Sequence, residues 1–208
     1  MKNIALKLAV MALVAATGFS ASAANLYDNL GSTQDGADPI LSYGPLANSF
    51  TTGADGGLLS SIAALLKNDS ASIVGDLRVS LHADGAGSTP GAELLSVGLL
   101  SSSGIATDAF AAYSFALSTP FALAANTTYW VEIEAASPNA VEWAWSGDLS
   151  APGVAGQSNY SVLFGANPNS AQSPYQMAVN VSAVPEPASM GLLLAGLVMV
   201  GMSIRRRS

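Results

Sequence analysis

The chain has no cysteine, one histidine and little charge of either sign. Lack of cysteine excludes disulfides, thiolate zinc sites, thiol nucleophiles and lipid attachment through sulfur. Charged residues make up 10% of the 208 positions, with 7 basic side chains against 14 acidic. Five of the seven bases sit at the ends: Lys2 and Lys7 near the start, Arg205, Arg206 and Arg207 at the finish. From Ala24 to Val184 only Lys67 and Arg78 oppose thirteen acidic residues, a net of −11. A body this acidic repels polyphosphate, which excludes nucleic acid as a partner. What the chain has in abundance is apolar surface, at 50% of residues.

That apolar content is arranged differently at the ends and in the middle. The N-terminus runs from Lys2 and Lys7 through an apolar stretch, Leu8 to Val14, to Ala21-Ser22-Ala23. A basic start, a short apolar core and an Ala-x-Ala finish are the pattern of a secretory signal peptide over residues 1–23. Cleavage after Ala23 makes Ala24 the first mature residue. At the other end, Val184-Pro185-Glu186-Pro187 precedes Ala188–Ile204, which carries no charge and stops at three arginines. As a helix this stretch measures about 26 Å, close to the hydrocarbon thickness of a bilayer. Arginines stay on the cytoplasmic side, so the preceding body faces outward. Gly191, Gly196 and Gly201 are spaced by five and make no GxxxG pairing face.

Pro185-Glu186-Pro187, the apolar helix and Arg205-Arg206-Arg207 together resemble the PEP-CTERM sorting signal of Gram-negative bacteria, over residues 184–208. The resemblance implies processing near the tripeptide by an exosortase, in organisms that make exopolysaccharide. It also implies an inner-membrane intermediate and a final place at the cell surface or in the extracellular matrix. Two prolines around a glutamate hold an extended backbone, a shape a processing enzyme can reach. An ordinary uncut membrane anchor is the alternative.

Residues 24–183 leave a body large enough for one sandwich-sized core. Apolar residues alternate in Leu77/Val79/Leu81, Tyr129/Val131/Ile133, Val141/Trp143/Trp145 and Tyr175/Met177/Val179/Val181. Period two predicts half-buried antiparallel strands, with Trp143 and Trp145, on the parity of Val141, expected in the core. Further strands are expected at Ala47–Thr52, Leu58–Leu66, Leu94–Leu100, Ala111–Leu117 and Asn159–Phe164, although Ala63–Leu66 would also suit a helix. Turn formers separate them at Asp35-Gly36, Asp55-Gly56, Asp84-Gly85, Thr89-Pro90-Gly91, Ser137-Pro138-Asn139 and Ala151-Pro152-Gly153. The expected fold is an all-β, antiparallel, jelly-roll-like β-sandwich, flanked by a signal helix and a C-terminal transmembrane helix. Val79–Asp84, Thr89-Pro90-Gly91, Leu123–Val131, Ser49–Thr52 and Trp143 resemble the choice-of-anchor extracellular domains, a family that implies no particular activity.

Catalytic signatures are sparse. His82 alternates with the core set and reads as an exposed strand residue; no Gly-x-Ser-x-Gly elbow accompanies it. Gly85-Ala86-Gly87 starts like a dinucleotide loop, but Pro90 stands where a third glycine should open a helix. Glu132 and Glu134 lie on one strand face about 7 Å apart, the spacing of an acid pair, yet exposed glutamates on a wet face are ordinary. Asp28, Asp35, Asp38, Asp55, Asp69, Asp84, Asp108 and Asp148 supply hard oxygen ligands without EF-hand spacing. Turn formation explains them; one structural calcium is compatible with them, no site is assigned, and no other cofactor is expected. Asn68, Asn126, Asn159 and Asn180 each begin an Asn-x-Ser/Thr triplet, expected to be chance in a bacterium.

Trp130 shares the parity of Glu132 and Glu134, which predicts a tryptophan on the wet face as a stacking platform for a sugar, with the two carboxylates accepting from its hydroxyls. Cover by a loop or a neighbouring sheet is the competing arrangement. The expected function is a non-enzymatic exported surface or matrix protein whose partners are the secretion machinery, exosortase, the membrane before processing, and exopolysaccharide. A secreted glycan-active enzyme and a self-assembling surface protein are the alternatives.

Overall fold

The structure, a computed structural model, describes residues 23–169 and 174–182. The signal peptide up to Ser22 and the sorting signal, with its expected helix, lie outside the described residues. Twelve strands run through the described residues: β1 Ala23–Asp28, β2 Gly36–Pro39, β3 Leu46–Thr51, β4 Gly57–Asn68, β5 Asp76–Asp84, β6 Pro90–Ser101, β7 Ala111–Leu123, β8 Thr128–Ala135, β9 Val141–Trp145, β10 Ser158–Ser161, β11 Gly165–Pro168 and β12 Met177–Ser182. A single-turn helix, α1, covers Ile40–Tyr43, and a 3-10 turn covers Ser102–Gly104. The fold is all-β, and every strand pairing is antiparallel.

Two six-stranded sheets result. The first has the order β1-β12-β4-β9-β2, with β7 on the other edge of β4; the second runs β11-β10-β3-β8-β5-β6. β4 is long enough to serve three partners: β12 along Leu58–Ala64, β9 along Leu66–Asn68, and β7 opposite both. The buried faces share one core, with Leu59, Ile62, Leu66, Trp143, Met177 and Val179 from the first sheet against Phe50, Leu77, Val79, Leu81, Val131 and Ile133 from the second. Burying each such side chain contributes about 1.5–3 kcal/mol, against about 0–1 kcal/mol for a surface ion pair. The core therefore holds the fold, and the few ion pairs only trim it.

The alternating runs all become strands, and Ala63–Leu66 continues β4 instead of forming a helix. Four details differ from the sequence expectation. β1, β2 and β11 are additional strands, each short or polar. Asn159–Phe164 ends as a strand at Ser161, and Val162–Phe164 form an exposed turn. β7 continues beyond Leu117 through Pro120, which its pairing permits: register passes from Ala116 opposite Ser61 directly to Phe121 opposite Leu59, so Pro120 need not donate to β4. Trp145 is only half-buried, unlike its parity partners Val141 and Trp143.

β1 and β12 pair with Ala23 opposite Ser182 and Ala24 opposite Val181. Cleavage after Ala23 would trim β1 by one residue and leave Ala24 in the ladder.

Candidate functional site

Trp130, Glu132 and Glu134 share the outer face of β8, as their parity requires, but they do not make a platform. Trp130 is 0% exposed, and its Nε1 donates to Asp84 Oδ1 at 2.8 Å. Its indole therefore has no face left for a sugar, which corrects the wet-face expectation. Glu134 is held by Arg78 Nε, and the same guanidinium donates through Nη1 to Glu93 at 2.7 Å. Glu132 is buried at 8% exposure, and desolvation raises its carboxyl above the ordinary range, with His82 opposing that shift.

His82 is also buried, not exposed as its parity suggested. β6 slips register against β5 at three places, and the Gly91 carbonyl comes within 2.9 Å of His82 Nδ1. A carbonyl only accepts, so this contact places the ring proton on Nδ1. Nε2 lies 3.0 Å from the Ser80 hydroxyl oxygen and 3.5 Å from Glu132 Oε1. Ser80, His82 and Glu132 are the residue types of a hydrolase triad, but the carboxylate faces the nitrogen that bonds the serine. A triad needs it on the other one. Ser80 is itself fully buried, out of reach of a substrate. This cluster is a packed polar network of the sheet.

A second place has the shape of a site. Trp145 of β9, Asp38 of β2 and Tyr175 border a cleft of about 450 Å³ whose other wall is the β10–β11 hairpin. That volume falls among small-molecule sites, roughly 300–1,000 Å³. The hairpin contributes Asn159, Ser161, Phe164 and Asn167.

Each wall is fixed from beneath. Trp143 stacks on Tyr175 with ring centroids 4.7 Å apart and donates Nε1–H to the Gln176 carbonyl at 2.9 Å. From the opposite sheet, buried Asn48 accepts the Tyr175 backbone N–H at 3.3 Å. Tyr175 and Trp145 form an isolated antiparallel bridge. So held, the Tyr175 hydroxyl donates to Asp38 Oδ2 at 2.7 Å. Burial first, and the Asp38 charge second, push this phenol far above its ordinary pKa, so it stays a donor. Trp145 lies across Gly36: a Cβ there would sit 2.2 Å from its Cζ2. Glycine at 36 is thus what lets the indole lie flat on β2. Across the cleft, Phe164 packs edge-on against Tyr43 at 5.4 Å.

Sequence reading placed Trp145 in the core and treated Asp38 only as a turn or calcium candidate. It did not join either to Tyr175 or to the hairpin, since these residues lie 14 to 137 positions apart along the chain. Among the described residues no cluster of three His, Asp or Glu side chains is placed to hold a metal ion. No helix among them is long and apolar enough to cross a membrane. Of the four Asn-x-Ser/Thr asparagines only Asn126 is exposed, at the β7–β8 turn.

An acidic two-sheet body followed by a C-terminal sorting address defines an exported protein. The address is specific: the chain carries the PEP-CTERM protein-sorting motif at residues 183–207. The motif implies an exported, membrane-transiting protein of a Gram-negative bacterium, sorted and processed by exosortase. The match covers the sorting signal and not the body. No curated protein and no solved structure matches the chain.

Proposed function

We propose that this chain is a non-enzymatic surface or extracellular-matrix protein that associates with exopolysaccharide after exosortase has acted on it. The observation that carries the reading is the sorting motif at residues 183–207 joined to an acidic two-sheet body. Both free-standing bases of that body are already engaged. Lys67 pairs with Asp69 at 2.8 Å and Glu142 at 3.5 Å, and Arg78 binds Glu93 and Glu134. A body without spare cations favours uncharged polysaccharide directly, and acidic polysaccharide only through a divalent cation. The jelly-roll-like winding and the choice-of-anchor resemblance fit such a scaffold, since a two-sheet body presents loops and clefts at its ends.

A glycan-active enzyme on this scaffold would need two carboxylates in one cleft. Glu132 and Glu134 are spent on packing and on Arg78, and among the described residues Asp38 is the one carboxylate bordering the cleft. A self-assembling structural protein draws support from a different feature. β6 and β7 are long edge strands whose sole charged residue is Glu93, and edges usually carry more charge than that.

Co-sedimentation of the full chain with exopolysaccharide from its own host, in calcium and then in chelator, tests the reading. Saturable binding that survives chelation is expected. Binding in neither condition, with oligomers growing as concentration rises, would replace it with self-assembly.

A further inference from the structure

The cleft between Trp145, Asp38 and the β10–β11 hairpin opens beside the core, on which Tyr175 and Trp145 pack. Four of its seven lining side chains are polar: Asp38, Asn159, Ser161 and Asn167. They carry carboxylate, carboxamide and hydroxyl groups, which accept from and donate to alcohols in alternation. Interleaved with them are aromatic rings, of which Trp145 is half-buried and Phe164 is 64% exposed. Among the described residues no lysine, arginine or histidine borders the cleft. A ligand that uses all of this has a hydroxyl-rich edge, an apolar face and no negative charge.

We infer that this cleft binds a neutral sugar ring, with Trp145 and Phe164 meeting its apolar faces and Asp38, Asn159 and Asn167 taking its hydroxyls. The inference names the polysaccharide-contacting site of the matrix protein proposed above and rests on that reading for its biological ligand. Its chemistry stands on the cleft alone. Gly36 is the positioning residue, because the indole can lie as it does only over a residue without a side chain. The Tyr175–Asp38 hydrogen bond uses one carboxylate oxygen as acceptor, and the carboxylate retains lone pairs for a ligand.

The test uses the full chain in detergent micelles and acrylamide quenching of tryptophan fluorescence. Trp130 and Trp143 are both fully buried, so quenching reports mainly on Trp145. Neutral mono- and disaccharides in gluco, galacto and manno configuration are added, with glucuronate and choline as charged comparisons. The expected result is saturable protection by at least one neutral sugar and none by glucuronate. Phe164→Ala, at an exposed position, should weaken it about tenfold. Gly36→Ala should abolish it with all three tryptophans still present. Protection by choline alone would overturn the inference in favour of a cation site. No protection by any sugar, in a chain that still unfolds cooperatively, would overturn it outright. The exopolysaccharide experiment fails separately: co-sedimentation retained by Phe164→Ala and Gly36→Ala would leave the matrix role standing and remove the cleft from it.

Discussion

At the residue scale, what misleads is parity without cover. Trp130, Glu132 and His82 lie on the outer face their alternation assigns, yet all three are buried: His82 meets the Gly91 carbonyl of β6, Trp130 bonds Asp84, and Glu132 lies beside His82. Nothing in the spacing of a strand reports what folds over it. Two expectations follow. Trp130→Phe loses the bond to Asp84 and should lower unfolding stability by about 1–3 kcal/mol, measurable by urea denaturation. It should leave sugar binding intact, whereas a ligand platform at Trp130 would lose it. Glu132 is held above its ordinary pKa by burial, so the folded state holds this proton more tightly than the unfolded chain does. Its stabilising contribution is therefore complete below the unfolded carboxyl value, about 4.3, and is lost as pH rises through the raised folded value. Glu132→Gln should flatten the dependence of melting temperature on pH and raise it at neutral pH. An unchanged pH profile would show that Glu132 is not the group responsible.

Elements were legible where the period ran unbroken, and β4 shows why the rest were not. Its inward residues change parity, from Leu59 to Ile62, Ala64 and Leu66. Ser60 is the cause: both partners skip it, with Leu59 opposite Val181 and Phe121, and Ser61 opposite Asn180 and Ala116. This is a β-bulge in the central strand of the first sheet, its Ser60 hydroxyl satisfied on the Asn180 carbonyl at 3.1 Å. A period-two template fails across it, which is why the run also read as a helix. Deleting Ser60 should turn Leu59 outward and cost about what removing a leucine from a core costs, 2–5 kcal/mol. Retained stability after the deletion would mean that the bulge does not set the register. The short strands were hidden for another reason. β2 and β11 are four residues each and polar or glycine-containing, so their pairing comes from neighbours and not from their own sequence. The cleft was hidden with them, because β2 supplies Asp38 and Gly36 and β11 supplies Asn167.

For the molecule as a whole, the legible parts were those whose physics is local. Charge segregated to the ends, an apolar stretch bounded by arginines, and alternation in the body can each be read within a few residues. The site depends instead on Tyr175 being drawn toward Asp38 by Trp143 and Asn48, contacts that only a closed pair of sheets creates. β1 and β12 pair at their outer ends, so the chain enters and leaves the body side by side, Ala23 opposite Ser182. Trimming the N-terminal address after Ala23 would cost this ladder only its Ala23–Ser182 pair, and a cut near Pro185 falls beyond its last residue.

The central claim is that this acidic two-sheet body is exported and cut from its C-terminal signal by exosortase. Intact-mass measurement of the protein recovered from outside the host cell, with and without exosortase, tests it most directly. The account predicts a mature species beginning at Ala24 and lacking Arg205–Arg207, with the uncut form held in the membrane when exosortase is missing. An exported species that retains all three arginines in the presence of exosortase would contradict it.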